Sequence, residues 1–358
     1  MATIAHLGLK VPVLQAPMAG VATPALAAEV SKAGGLGALG LGSVMPNEAR
    51  SMIEEVRGRT DQPFNVNLFV HDTPQANPQR EARWLDWLKP VFAEFDAEPP
   101  EQLSSPYTSF LDNPKMMELL LEVRPPVISF HFGLPPAACL AALRDTGAVL
   151  LATATSPAEA RSAEAAGIDA VIAQGIEAGG HRGMFDPAAP DDALGTLALV
   201  RLLARQCHVP VIAAGGIMDG AGVAAALALG ARAAQMGTAF LLCPEAGVDE
   251  GYRKALMGQS AFHTRMVSLI SGRPARCLSN SFTALAERAD RPPCPVYPIA
   301  YDAGKALAKA ALSRGETGFG AYWAGQGAPL ARAMPAGRLV RQIEIELAEA
   351  TRQRSMPR

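Results

Sequence analysis

The chain has 358 residues, which is enough for one large α/β barrel or for two ordinary domains. Its 32 basic and 34 acidic side chains nearly balance, so no excess charge favours nucleic acid or an anionic membrane, and a small molecule is the expected partner. The five cysteines form no C-x-x-C pair, no leader pattern opens the sequence and no uncharged run reaches the ~18 residues of a membrane span, so a cytoplasmic protein without a metal site is expected.

One pattern recurs from residue 11 to residue 240: a short apolar run, a turn and an Ala-rich amphipathic stretch. Helices are predicted over 23–34, 156–167 and 219–230, because each opens on Thr, Ser or Asp and closes on Gly. Eight apolar runs predict strands at residues 11–17, 36–42, 63–69, 125–132, 148–154, 170–175, 210–216 and 233–240. Strands that are apolar nearly throughout are typical of a parallel sheet covered by helices, so eight successive βα units predict an α/β fold, the (β/α)8 TIM barrel.

Two segments interrupt this pattern. Residues 71–113 are polar and rich in proline and aromatics, and are predicted to form an insertion after the third strand that shields the site. Residues 243–323 predict a smaller, mainly helical second domain on the substrate side of the barrel mouth. The barrel domain then comprises residues 1–242 and 324–358, ending in an exposed amphipathic helix whose end frays.

The run GLGALG, residues 35–40, matches the G-x-G-x-x-G pattern of dinucleotide sites. That pattern must follow a strand and open a helix, whereas here a helix precedes it and the glycines lie within the second predicted strand. Glycines that allow close packing within a barrel strand are therefore the favoured interpretation.

Glycine-containing segments lie at the ends of the last two predicted strands: AAGGIMDG at residues 213–220 and QMGTAF at residues 235–240. In a TIM barrel the functional groups gather at the carboxyl ends of the strands, and the last two strands commonly carry a phosphate site. These segments predict a phosphate-bearing cofactor, and the alternative is that the glycines merely turn the chain.

His181 lies in QGIEAGGHRG, the segment after the sixth strand, where it would sit over the barrel mouth. An unperturbed imidazole has a pKa near 6.5, which suits proton abstraction, so His181 is the predicted catalytic base. Glu177 and Arg182 either orient His181 or bind substrate, or are ordinary loop charges. His131, at the end of the fourth strand, either lines the same cavity or packs between two phenylalanines and bonds to a main-chain carbonyl.

Asn67 and Gln174 end the third and sixth strands with amides that can both donate and accept hydrogen bonds. Such groups suit the edge of a heteroaromatic ring. The alternative is that each amide ties its strand end to a neighbouring loop.

Five motifs together resemble the class I nitronate monooxygenases, formerly called 2-nitropropane dioxygenases. They are QAPMAG at 15–20, SFHFG at 129–133, AQGIEAGGHRG at 173–183, PVIAAGGIMDG at 210–220 and WAGQG at 323–327. The resemblance implies a TIM barrel with a smaller substrate domain and one non-covalently bound FMN. It also implies oxidation of alkyl nitronates, and of nitroalkanes where the enzyme accepts them, by O2 to a carbonyl compound and nitrite, in a monomer or homodimer.

By this resemblance His181 would be the base, with His131 and Arg182 on the substrate side. The residues expected to contact FMN are Met18, Ala19, Gly20, Asn67, Gln174, Gly179, Gly180, Gly215, Gly216, Gln235, Met236, Gly237 and Thr238. Two alternatives stay open at this stage: an FMN-dependent NADH:quinone or enoyl-thioester reductase on the same barrel, and a non-catalytic flavin-binding module.

Overall fold

The computed structural model describes residues 7–355, and all eight predicted strands lie in one parallel sheet. The strands are β1 (Val13–Gln15), β2 (Gly37–Gly40), β3 (Phe64–Phe69), β4 (Val127–His131), β5 (Val149–Ala154), β6 (Ala170–Gln174), β8 (Val211–Ala214) and β9 (Ala233–Met236), while β7 (Gly180–His181) lies outside this sheet. Their order is β1-β9-β8-β6-β5-β4-β3-β2, and a bridge between Leu14 and Leu36 joins the two edges. The predicted TIM barrel is therefore confirmed.

The helices begin where the sequence places caps. Side-chain oxygens of Thr23, Ser156 and Asp219 accept hydrogen bonds from first-turn N–H groups at 3.0, 3.2 and 2.8 Å, respectively. The helices are α1 (Pro24–Lys32), α2 (Pro46–Arg59), α3 (Pro78–Ala93), α4 (Pro114–Val123), α5 (Ala137–Asp145), α6 (Pro157–Ala165), α7 (Thr196–Gln206), α8 (Gly220–Ala228), α9 (Glu250–Met257), α10 (Ser281–Ala284), α11 (Ile299–Ser313) and α12 (Ala336–Ser355). None of the helices in residues 7–355 is long and apolar enough to cross a membrane.

Successive side chains along a strand point to opposite faces of the sheet and pack in two different hydrophobic clusters. Val149 and Leu151 of β5 belong to a small cluster inside the barrel, whereas Leu150 and Ala152 belong to the larger cluster between the strands and the helices. This packing fills part of the barrel interior with apolar side chains. The last strand is shorter than predicted, because the chain turns into a short 3-10 helix at Thr238–Phe240 directly after β9.

A second hydrophobic cluster lies outside the barrel. Trp84 and Phe92 of α3, which belong to the insertion after the third strand, are buried in it together with residues of α9 and α11. The region predicted to be mainly helical also contains an antiparallel sheet, in which β11 (Ala275–Leu278) pairs with β10 (Thr264–Val267) on one side and with β7 on the other. Through β7 this sheet is joined to the segment that carries His181.

The C-terminal helix α12 is amphipathic as predicted, but it is not an exposed appendage. Leu339, Val340 and Ile343 are fully buried in the main core, where α12 packs against α1 and α8. A Cβ on Gly220 would lie 2.2 Å from the Leu347 N, so glycine is required for this close approach. The helix therefore closes the barrel's outer layer between α8 and α1. The predicted fraying falls on residues 356–358, which lie outside the described residues.

Candidate active site

A cavity of about 480 Å³ opens at the carboxyl ends of the barrel strands, between the barrel and the second hydrophobic cluster. Every residue that the sequence predicts to contact the cofactor lines this cavity, as do His131 and His181. We call one side the barrel wall; it consists of residues 18–20, Asn67, Gly179, Gly215, Gly216 and residues 235–238. We call the other side the aromatic wall; it consists of Tyr107, Tyr297, Tyr301, Lys305 and Trp323.

Several glycines of the barrel wall lie where the main chain turns sharply or packs closely against a neighbouring segment. Gly215 and Gly216 follow β8 with φ values of +122° and +70°, which favour glycine. A Cβ on Gly215 would lie 2.6 Å from the Thr196 hydroxyl oxygen, and one on Gly179 would lie 2.4 Å from the Gly325 N. The main chain is therefore exposed to the cavity where a phosphate was predicted.

The amides at the strand ends have different tasks. Gln174 donates to the His181 carbonyl at 3.0 Å and accepts from the Gly183 N–H at 2.8 Å, so it holds the loop that carries His181. Asn67 donates to the Ser129 hydroxyl at 2.9 Å, which leaves its carbonyl oxygen as the acceptor on this wall. The Gln235 Oε1 atom is buried without a partner among the described residues, so this acceptor is available to a donor in the cavity.

His181 lies between the two walls on β7. Its Nε2 atom is 2.8 Å from the Ser271 hydroxyl oxygen, and its ring contacts those of Phe132, Tyr297 and Trp323 at centroid distances of 5.7, 5.3 and 5.1 Å. Although the ring reaches the cavity, its surroundings are largely apolar. Burial lowers the pKa of His181 to about 3, and the neighbouring cationic groups add to the effect. The imidazole is therefore neutral at physiological pH, whereas an imidazole with the ordinary pKa of 6.5 would be partly protonated there.

His131 lines the cavity, but both of its ring nitrogens are engaged by protein. Nε2 is 3.2 Å from the His181 carbonyl oxygen and Nδ1 is 3.0 Å from the Thr153 hydroxyl oxygen. A carbonyl can only accept, so Nε2 carries the proton and Nδ1 accepts from Thr153. Burial lowers the pKa of His131 to about 4, which keeps this neutral tautomer. Both interpretations offered by the sequence therefore apply in part: His131 lines the cavity, and its bond to a main-chain carbonyl supports the His181 loop.

Arg182 does not line the cavity, which corrects its prediction as a substrate-side residue. Its guanidinium is buried, pairs with both oxygens of Asp191 at 2.8 and 3.0 Å and donates to the Gln174 carbonyl. Glu177 is also engaged elsewhere, since it accepts from the Thr196 N–H at the start of α7 at 2.8 Å. Both charges hold loops in place.

The cation that faces the cavity is Lys305 of α11, which sequence reasoning missed. Its ammonium lies 4.4 Å from the ring centroid of Tyr107 and 5.1 Å from that of Tyr301. Partial burial lowers the pKa of Lys305, and the nearby Asp302 carboxylate opposes that effect. Of the residues of the aromatic wall, the sequence pointed only to Trp323, through the motif WAGQG. The three tyrosines and Lys305 lie in segments whose packing the sequence did not predict.

A second cation lies behind His181. Arg273 is buried with its guanidinium 4.2 Å from the Phe132 ring centroid, and it donates to the carbonyls of Met184 and Phe185. Burial lowers the pKa of Arg273 to about 10, so it stays protonated. Its positive charge contributes to the lowered pKa of the neighbouring histidines, including the fully enclosed His71, whose pKa is lowered to about 4 first of all by burial.

The sequence model of the family described as "Nitronate monooxygenase" matches residues 2–346. A nitronate monooxygenase of Paraburkholderia phytofirmans is 58% identical over 347 residues, 97% of this chain and 95% of that protein, and one of Pseudomonas aeruginosa is 56% identical over 341 residues, 95% of this chain and 97% of that protein. Among solved structures, a nitroalkane oxidase from Streptomyces ansochromogenes has a TM-score of 0.88 at 41% identity, covering 97% of this chain and 98% of that one.

Proposed function

The chain belongs to the nitronate monooxygenase family, and from that premise we propose that it is an FMN-dependent enzyme that oxidises alkyl nitronates with O2 to a carbonyl compound and nitrite. The observation that carries this proposal is the position of His181, which faces a cavity of about 480 Å³ between the barrel wall and the aromatic wall. A space of this size, lined by both polar and apolar groups, suits a cofactor together with a small substrate.

The residues of the barrel wall fit FMN. Gly215, Gly216 and Gly237 leave the main chain accessible, as a phosphate requires, and a Cβ on Gly237 would already approach the Ala16 Cβ to 3.3 Å. The unpartnered Gln235 Oε1 is an acceptor that suits the ring N–H of an isoalloxazine, and the Asn67 carbonyl oxygen suits the same edge. FMN bound here would supply the redox chemistry between the nitronate and O2.

His181 would act as the base that takes the α-proton of a neutral nitroalkane. The proton moves to an imidazole nitrogen, and the C–H electron pair passes into the nitro group to give the nitronate. A base whose pKa is lowered to about 3 is weak, but a nitronate forming beside it would favour the imidazolium and raise that pKa. A weak resting base fits an enzyme whose preferred substrate is the preformed nitronate.

Lys305 would bind the negatively charged oxygens of the nitronate, because it is the cation that lines the cavity whereas Arg182 and Arg273 are turned to protein partners. Tyr107 and Tyr301 hold the ammonium between their rings. The aromatic wall would also exclude water from the reacting carbon.

The absorbance spectrum of the purified protein, followed by assays on the same sample, tests the proposal. We expect a flavin spectrum, and O2 consumption with nitrite release on adding an alkyl nitronate without NADH. Rapid bleaching by NADH without oxygen, with no nitrite formed from nitronates, would favour a reductase instead. A flavin that reacts with neither donor would indicate a non-catalytic module.

A further inference from the structure

The hydroxyl of Ser271 is held rigidly against His181. Ser271 is fully buried in the turn between β10 and β11, where the Gly272 N–H donates to the Ser268 carbonyl at 2.8 Å. Gly272 has a φ of +91°, and a Cβ there would lie 2.6 Å from the Tyr297 N, so glycine is needed for both the turn and its packing. The position of the Ser271 side chain is therefore fixed by backbone that cannot easily shift.

This hydroxyl has two neighbours and only one proton to donate. Its oxygen lies 2.8 Å from the Nε2 of His181 and 3.3 Å from the carbonyl oxygen of Arg273. Donation to the Arg273 carbonyl makes the hydroxyl an acceptor for an Nε2–H, and all three groups are then satisfied. Donation to Nε2 instead would leave the Arg273 carbonyl without a donor among residues 7–355, in a residue that is only 2% exposed.

Nδ1 is the ring nitrogen of His181 that can accept a proton from a substrate in the cavity. Within the described part of the chain no group hydrogen-bonds to it, and, unlike both ring nitrogens of His71, it is not enclosed by protein. We infer that Ser271 is a positioning residue: it fixes the Nε2–H tautomer of His181, so that Nδ1 faces the cavity as the basic nitrogen. This inference rests on the proposed function for the role of Nδ1 as the proton acceptor, but the tautomer itself does not depend on turnover.

Nitrogen NMR of the FMN-loaded protein with isotope-labelled histidine tests this assignment. We expect the wild-type signals of His181 to show a protonated Nε2 and an unprotonated Nδ1 at neutral pH. In Ser271→Ala the buried Nε2–H loses its acceptor, so the population should move toward Nδ1–H, whose proton can bond to water in the cavity. Ser268→Ala removes a hydroxyl from the same turn that does not bond to His181, so its spectrum should match wild type; Ser271→Thr keeps the hydroxyl and should keep the Nε2–H tautomer.

Turnover provides the second readout. Ser271→Ala should lower kcat with a neutral nitroalkane roughly tenfold, because the basic nitrogen is protonated in part of the molecules, while turnover of a preformed nitronate stays close to wild type. An Nδ1–H tautomer in wild type, or identical spectra for wild type and Ser271→Ala, would overturn the inference. Protein that shows the Nε2–H tautomer but releases no nitrite from any nitronate would uphold the tautomer assignment while refuting the proposed function.

Discussion

The two walls of the cavity are built in different ways. The barrel wall contains glycines, amides and no titratable side chain, and its atoms are placed by the register of parallel strands. The aromatic wall consists of tyrosines, a tryptophan and Lys305, and its side chains come from distant segments that meet in the second hydrophobic cluster. In the proposed function, main chain and neutral groups would hold the cofactor, and side chains with charge or ionisable groups would bind the substrate. His181 lies where the walls meet.

The largest effect is expected on the free energy of unfolding at low pH, because the buried histidines lie near the aromatic wall. Buried histidines near the aromatic wall have folded pKa values of about 3 to 4, below the ordinary 6.5, so the unfolded chain binds more protons between these values. The free energy of unfolding should therefore be highest above pH 6.5 and fall as the pH drops toward 4. The fully enclosed His71 alone should contribute up to about 1.4 kcal/mol per pH unit.

Urea unfolding at several pH values measures this slope. His71→Phe should make the slope shallower, and His263→Asn, at an exposed position, should leave it unchanged. A wild-type stability that is flat between pH 6.5 and 4 would show that these histidines are not held neutral.

Replacement of His181 separates proton transfer from redox chemistry. In His181→Asn we expect kcat/KM for a neutral nitroalkane to fall about 100-fold, the range typical of a lost general base, and turnover of a preformed nitronate to fall much less. Nitrite release from both substrates by FMN-loaded protein measures the two losses. His263→Asn serves as the control, and equal losses on both substrates would contradict the role of base.

A side chain at position 179 should damage the barrel wall. A Cβ there meets backbone atoms of the 324–325 segment, which cannot move without shifting the loop, so Gly179→Ala should weaken FMN binding roughly tenfold and lower the free energy of unfolding by about 1–3 kcal/mol. Gly58→Ala is the matched control: nothing lies within 4 Å of its Cβ, and alanine in helix α2 should stabilise the protein by about 0.5–1 kcal/mol. Flavin titration and urea unfolding measure both effects, and equal FMN affinity in the two variants would argue against a tight cradle.

The smallest effect is expected for the cation of the aromatic wall. Lys305→Met should raise KM for a nitronate several-fold, up to about tenfold, with little change in FMN binding. Because burial lowers the pKa of Lys305, its charge is present below that pKa and lost as the pH rises through it, so KM in wild type should begin to rise at a pH below the ordinary lysine value. Lys309→Met, one turn further along α11, is the control. A pH-independent KM, or the same KM in Lys305→Met and wild type, would assign nitronate binding to another group.

The barrel wall could be predicted from the sequence, because strand ends and glycines are local features. Apolar runs locate β8 and β9, although both strands end before their predicted limits. The carboxyl ends of parallel strands meet on one face, so Gly216, Gln235 and His181 could be predicted to lie near one another.

The aromatic wall could not be predicted in the same way. Tyr107, Tyr297 and Lys305 come from separate segments. The segment before Tyr107 is held against α11 by the Ser104 N–H, which donates to the Asp302 carboxylate at 2.8 Å, and no local pattern encodes that contact. The strands β10 and β11 have four residues each, too few for a clear alternation. The sequence also did not predict the direction in which a side chain points. Arg182 follows His181 in the chain, yet its guanidinium points away from the cavity and pairs with Asp191.

A crystal structure of the FMN-loaded protein would show directly whether the cofactor binds between the two walls. We expect the phosphate on the main chain of Gly215, Gly216 and Gly237, the flavin ring along Asn67 and Gln235, and the imidazole of His181 across the remaining space with Nδ1 toward it. A flavin bound elsewhere, or a His181 side chain turned away from the cavity once FMN is present, would contradict this prediction.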